Sequence, residues 1–223
     1  MLISHRHRFI YTKTFKTAGT SVESYFEPFC MGPGEWQQLH ERPQYESAHG
    51  VIGFRGAHPP PGLRWWNHMP ANDIRQRVGE LVWGSYFKFC VVRNPFDRAV
   101  SAFYFDRSKG RLAPSADGDA AQFERWLAGG RLRMDREQYV IEAGKLALDD
   151  VIRYERLAFD LEGICAKLGV AWEPARLPTF KAGIRPQVDL ESLYSERARA
   201  IVERQCAFEL EHFGYEFPVG VPA

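Results

Sequence analysis

No charge of one sign dominates this chain, in which 29 Lys and Arg face 28 Asp and Glu for a net charge of +1. That excludes a global basic field of the kind that holds nucleic acid, and no basic–aromatic stripe replaces it. Nucleic acid is therefore not an expected partner, and any anion site must be local. Cysteine is scarce: Cys30, Cys90, Cys165 and Cys206 are scattered, and none forms a C-x-x-C pair. This excludes a disulfide framework and a zinc site, and predicts reduced, packed thiols. The seven histidines form no H-E-x-x-H pattern, so no metal is expected. No run reaches the ~20 apolar residues of a membrane span. Met1 to Arg8 is rich in His and Arg and lacks the apolar centre of a signal peptide. The expectation is a chain without a transmembrane segment, located in the cytoplasm. Internal repeats and low-complexity tracts are also missing.

What is present is a chain of 223 residues, 45% hydrophobic. That suits a single domain over 1–223, since one core grows to roughly 250 residues before splitting. Phe9 to Phe15 is aromatic and β-branched, and predicts a strand. Tyr86 to Arg93 is nearly all apolar at its end, as in a strand buried on both faces. Asp150 to Tyr154 predicts a third strand. Helices are predicted from Val22 to Phe29, Ala71 to Val82, Asn94 to about Phe105, Gln122 to Leu127, Leu157 to Leu168 and Ser195 to Phe213. In the second of these, Ile74, Val78, Leu81 and Val82 mark the buried face. Glu35 to Pro61 reads as a long loop, of a length that is usually functional. Strand–helix alternation predicts an α/β fold, a P-loop-like parallel sheet flanked by helices on both faces. Ligands of such sheets sit at the carboxyl ends of strands.

Two motifs fall at such ends. In the first, a strand runs into Lys16-Thr17-Ala18-Gly19-Thr20-Ser21 and then a helix. Small residues let backbone N–H groups approach an anion, and a helix N-terminus adds about half a positive charge. Thr17, Thr20 and Ser21 supply hydroxyls, and Lys16 a point charge. The lysine precedes the glycine, so this is not a Walker A loop. An ordinary turn with Thr20 or Ser21 as N-cap is the simpler alternative. In the second, R-N-P-F-D-R-A-V-S places Arg93 at a strand end and Ser101 two turns into the next helix, with Arg98 and Ser101 neighbours on it. Arginine and serine together suit a phosphate. A solvated pairing of arginine with Asp97 or Asp106 is the alternative. Two anion sites at adjacent strand ends fit a nucleotide with separated 5′ and 3′ phosphates.

FIYTKTFKTAGTSVE and FKFCVVRNPFDRAVSAFYF resemble the 5′-phosphosulfate loop and the 3′-phosphate motif of the sulfotransferases that use 3′-phosphoadenosine 5′-phosphosulfate (PAPS). The likeness is greatest to the carbohydrate sulfotransferases, including the uronosyl 2-O type, and their bacterial relatives. It is strong from Arg8 to Phe105 and weaker through VIRYERLAFD and the terminal FGYEF. It implies sulfuryl transfer from PAPS, leaving PAP, onto a hydroxyl, with a saccharide or glycolipid as favoured acceptor. Lys16 would be the loop lysine, Thr17 to Ser21 would surround the 5′-phosphosulfate, and Arg93 and Ser101 would bind the 3′-phosphate. Phe15 stands where that family often has proline, Ala18 where it often has glycine, and Asn94 where it often has aspartate.

The acceptor hydroxyl needs a base, and histidine is neutral enough at pH 7 to serve. His68, in W-W-N-H-M-P-A, is the candidate. It resembles the histidine that precedes the 3′-phosphate motif in the uronosyl 2-O-sulfotransferases; a histidine packed against Trp65 or Trp66, or capping the next helix, is the simpler alternative. His49, His58, Glu46 and Glu23 are alternatives. Lys181 and Arg185 lie in a late basic loop that, by the same resemblance, would fold over the nucleotide; solvated surface charge is the simpler alternative. Trp36, Trp65 and Trp66 offer flat faces for a sugar, or simply fill the core. The competing functions are a magnesium-dependent small-molecule kinase and a PAP-binding protein without transfer activity.

Overall fold

The computed structural model describes residues 1–113, 115–180 and 185–218. The strands are β1 (Leu2–Ser4), β2 (Phe9–Tyr11), β3 (Tyr45–Ser47), β4 (Gly50–Ile52), β5 (Phe87–Val92) and β6 (Asp150–Arg153). The helices are α1 (Gly19–Phe26), α2 (Ala71–Ser85), α3 (Pro95–Ser108), α4 (Asp119–Ala128), α5 (Leu157–Lys167), α6 (Leu190–Leu193), α7 (Glu196–Gln205) and α8 (Ala207–Phe213). They divide between two compact units. The first comprises Met1–Val92 and Asp135–Phe180, and the second Arg93–Met134 with the described part of Lys181–Ala223.

The first unit holds the whole sheet, in the order β3-β4-β1-β2-β5-β6. β2, β5 and β6 run parallel, while β1, β3 and β4 pair antiparallel. The side-chain period of two sends alternate residues to opposite faces. Phe9, Tyr11, Phe89 and Val91 meet α1 and α5 through Val22, Phe26, Leu161 and Ile164 on one face. Ile3, Ile10 and Val51 meet Ala71, Ile74 and Trp83 of α2 on the other. Helices thus cover both faces, which is why the strands read as continuous apolar runs. The α/β class with parallel strands is as the sequence predicts; the antiparallel half is an addition. β1, β3 and β4 are three residues each, too short to show a period beside polar neighbours.

Other boundaries differ too; α1 starts and ends three residues earlier than predicted, and α3 and α4 run longer. The strand predicted over Phe9 to Phe15 ends at Tyr11; Thr12 N still bonds Phe89 O at 3.1 Å, and the left-handed residues Lys16 and Ala18 follow. Helix α2 is broken at Gly79, with φ 77° and ψ 163°. The break rotates the last turn, so Leu81 is 86% exposed while Trp83 is buried. The predicted terminal helix divides at Cys206 into α7 and α8, and Gly214 closes it at φ 63°.

The second unit is helical. Phe96, Val100, Phe103, Phe123, Trp126 and Val202 form its core. Asn94 caps α3 by accepting from Phe96 N at 3.0 Å, and Pro95 occupies the first turn. All four cysteines are buried thiols. No described helix is long and apolar enough to cross a membrane.

Candidate functional site

The segment after β2 is held in an unusual backbone. Lys16 and Ala18 have φ of 60° and 58°, and His68 has φ of 56°. Left-handed non-glycine residues cost energy and gather at functional sites. Ala18 is the N-cap of α1, and no side chain caps the helix. The simpler expectation, Thr20 or Ser21 as an ordinary cap, is therefore not what forms. Ala18 O accepts from Ser21 N and Val22 N at 2.9 and 3.2 Å. The loop is tied down by its own threonines: the Thr14 hydroxyl bonds Thr17 Oγ1 at 2.7 Å and Val91 O at 2.5 Å. The Thr17 hydroxyl is thus engaged inside the loop. Ser21 Oγ accepts from Phe180 N at 3.4 Å. Lys16 is half-buried at the bend. Since Ala18 sits where glycine is at ease, Ala18→Gly is expected to raise stability by about 0.5–1 kcal/mol. Relief of left-handed strain outweighs the extra entropy of an unfolded glycine. Chemical denaturation would measure it, and a loss of stability would contradict the strain.

Beneath the loop lies a buried charge cluster that the sequence reading missed. Glu23, in the wholly buried α1, accepts from Lys13 Nζ at 2.6 Å, Arg55 NH1 at 2.9 Å and the Met1 amino group at 2.5 Å. Arg55 also reaches Glu27 at 2.7 Å, and Arg42 Nε meets Glu27 at 2.8 Å. Burial pushes the Glu23 carboxyl up, but Lys13, the amino group and Arg55 outweigh it and hold it well below the usual carboxylate range. A carboxylate so engaged is no base, which removes Glu23 from the candidates.

His68 is fixed from three sides. Its ring lies flat on Phe15, centroids 4.0 Å apart at 9°. Its Nδ1 is 3.0 Å from Lys13 O, and its own carbonyl accepts from Gln138 Nε2 at 3.1 Å. A carbonyl only accepts, so Nδ1 carries the proton and Nε2 keeps its lone pair. Burial first, then the Lys13 ammonium, lowers its pKa to about 3, so the ring is neutral at pH 7. Phe15, at the position where proline is common in the resembled family, is used twice: besides the stack, its N–H donates to Asp135 Oδ1 at 2.7 Å. Proline has no such N–H.

The alternatives sit elsewhere. Register pairs Ser4 with both Phe9 and Gly50, so His49 is at the end of the sheet away from the loop that follows Tyr11. His58 is exposed. Glu46 accepts from Trp65 Nε1 at 2.9 Å. Trp65 is 2% exposed and belongs to the core, so it offers no sugar face. Trp66 lies under the Arg77 guanidinium, and Trp36 donates to Glu27.

In the second unit, Arg93 and Arg185 converge on one carboxylate. Arg93 Nε is 2.6 Å from Asp97 Oδ2, and Arg185 bonds Asp97 Oδ1. Burial raises the Asp97 pKa, but the two guanidiniums bring it below its ordinary value. Ser101 lies one turn along the same face of α3. Arg185 NH2 is buried and has no hydrogen-bond partner, a donor left for an anion. Arg98 does not join them: it is buried, donating to Arg133 O at 2.7 Å and to Cys206 Sγ at 3.8 Å. Its alkyl and guanidinium groups fill the helical core, which overturns the expected Arg98–Ser101 grip. Lys181 lies outside the described residues.

The pattern that describes the sulfotransferase family matches residues 1–173. Among curated proteins, carbohydrate sulfotransferase 10 of Xenopus laevis is 26% identical over 158 residues. That alignment covers 69% of this chain and 37% of the relative, so the chain spans little more than a third of that relative's length.

Proposed function

Because the chain belongs to the sulfotransferase family, we propose that it moves a sulfuryl group from PAPS to an acceptor hydroxyl. The observation that carries this reading is the neutral His68, whose Nδ1 is committed to Lys13 O and whose Nε2 is left as acceptor. In the reaction the bond from sulfur to the phosphate oxygen of PAPS breaks and a bond from sulfur to the acceptor oxygen forms. The acceptor proton goes to His68 Nε2, and PAP leaves with the released negative charge. Lys16 offsets that charge, as a cation at the bend of the loop. Positioning and charge do most of the work in such in-line transfers.

The residues suit the donor. Backbone N–H groups at the uncapped start of α1, with the Thr20 and Ser21 hydroxyls, serve its 5′-phosphosulfate end. Arg93 and Ser101 serve its 3′-phosphate, and the unpartnered Arg185 NH2 is the further donor that suits it. A saccharide or glycolipid hydroxyl is the acceptor we favour, because the curated relative is named a carbohydrate sulfotransferase.

The test is a thermal titration with PAP, with and without magnesium and with ATP as control. At a hundredfold over its dissociation constant, PAP adds about 2.7 kcal/mol, a rise in Tm of several degrees that needs no magnesium. Arg93→Ala is expected to abolish the rise. A shift with ATP and magnesium, and none with PAP, would replace this reading by a kinase.

A further inference from the structure

Lys13 lies just before the Lys16–Ser21 loop, and it touches both sides of the candidate site. Its main chain faces the base: Lys13 O lies 3.0 Å from His68 Nδ1. Its side chain faces the loop: Nζ is 3.3 Å from Thr20 Oγ1 and 2.6 Å from Glu23 Oε2. To get there the side chain crosses Gly19. A Cβ at that position would stand 2.9 Å from Lys13 Cε and 2.9 Å from Cγ. A side chain at 19 would push this lysine aside, so the glycine makes room for it. Lys13 is 3% exposed, so its geometry is set by packing and by the Glu23 pair.

Each contact has a directional consequence. The carbonyl selects the Nδ1–H tautomer of His68. An ammonium can only donate, so Thr20 Oγ1 accepts from Lys13 and must send its own proton elsewhere. We propose that Lys13 is the positioning residue of the sulfuryl-transfer site, fixing the His68 tautomer through its carbonyl and turning the Thr20 hydroxyl proton toward the donor through its ammonium. The role rests on the sulfotransferase reading given above. The charged groups that act on His68 are Lys13, two residues past β2, Glu23 from α1 and the Met1 amino group next to β1. Lys13 and the amino group favour the neutral ring, while Glu23 opposes them.

The test uses the full chain, labelled with 15N, with the His68 ring signals assigned by comparison with His68→Asn. In the parent, His68 is expected as the Nδ1–H tautomer, still neutral at pH 5. In Lys13→Gln the tautomer should persist, because the carbonyl remains, while the titration midpoint rises by roughly one pH unit. A merely structural lysine would leave that midpoint where it was. An Nε2–H tautomer in the parent, or an unmoved midpoint in Lys13→Gln, would overturn the role. If Lys13→Gln does not fold, the parent spectrum alone decides through its tautomer. The PAP titration keeps the two ideas separate. A PAP shift with the wrong tautomer removes Lys13 and leaves sulfuryl transfer standing. The right tautomer without a PAP shift removes sulfuryl transfer, and with it this role.

Discussion

Replacing His68 by asparagine is expected to lower turnover by about 10²–10⁴-fold while PAP affinity stays within a few-fold of the parent. The size follows from the position of Nε2. With Nδ1 bonded to Lys13 O, Nε2 is the only basic atom the ring presents. Asparagine is a better probe than alanine. It tolerates the left-handed backbone at φ 56°, and its amide N–H can replace Nδ1–H against the Lys13 carbonyl. The loss then reports the missing base rather than a collapsed loop. The low pKa of the resting ring, about 3, bears on the pH profile. A base that weak gains strength when an anion binds beside it, since negative charge favours the imidazolium. Activity is therefore expected to hold from pH 8 down to at least pH 6, without the fall near 6.5 that an ordinary histidine gives. Labelled PAPS and a screen of saccharide acceptors would supply the assay. Turnover unchanged in His68→Asn would move the base to another residue.

The loop and the strand ends were legible because each carries local chemistry. Lys16 to Ser21 shows small residues between an apolar strand and a helix, and Asn94-Pro95 shows a cap and a first turn. His68 was legible as a residue type, since a base near neutrality is usually histidine. What fixes it was not. Its partners are a carbonyl 55 positions earlier and a phenyl ring that reads as part of a strand. A main-chain acceptor leaves no trace in residue identity. The buried cluster left half a trace. Glu23 lies in an eight-residue helix with no exposed face, and a carboxylate in such a helix demands a cation. Which cations answer depends on topology: Arg55 comes from beyond β4, 32 positions away. Arg98 shows the reverse error. Its place beside Ser101 on α3 suggested a phosphate, but the helical core needed a long side chain to reach Arg133 O. Helical spacing says which residues are neighbours, not which face is buried.

Glu23→Gln is expected to destabilise the protein by about 3–5 kcal/mol, a fall in Tm on the order of 10 °C for a chain of this size. Glutamine keeps the shape of the side chain and removes only the charge. Lys13 and Arg55 are then left buried with less negative charge than they need, and that penalty, not the loss of attraction alone, sets the size. Removing one member of an exposed pair carries no such penalty. Glu203→Gln, whose partner Arg199 is half exposed, should leave Tm unchanged. The pH dependence has a definite sign. Lys13, the Met1 amino group and Arg55 depress the Glu23 pKa in the folded state. A carboxylate with a depressed pKa contributes stability that is fully present above its unfolded pKa of about 4.3. That contribution is lost as pH falls through the lower folded value. The gap between parent and Glu23→Gln should therefore be constant from pH 7 to 5 and close only below about pH 4. Urea denaturation at several pH values measures it. A gap that does not change as pH falls below about 4 would mean that Glu23 titrates as an ordinary carboxylate, and that the cluster does not hold it ionised. A gap that begins to shrink as pH falls below about 4 supports the cluster, because the unfolded carboxylate then takes up a proton while the cations keep the folded one charged.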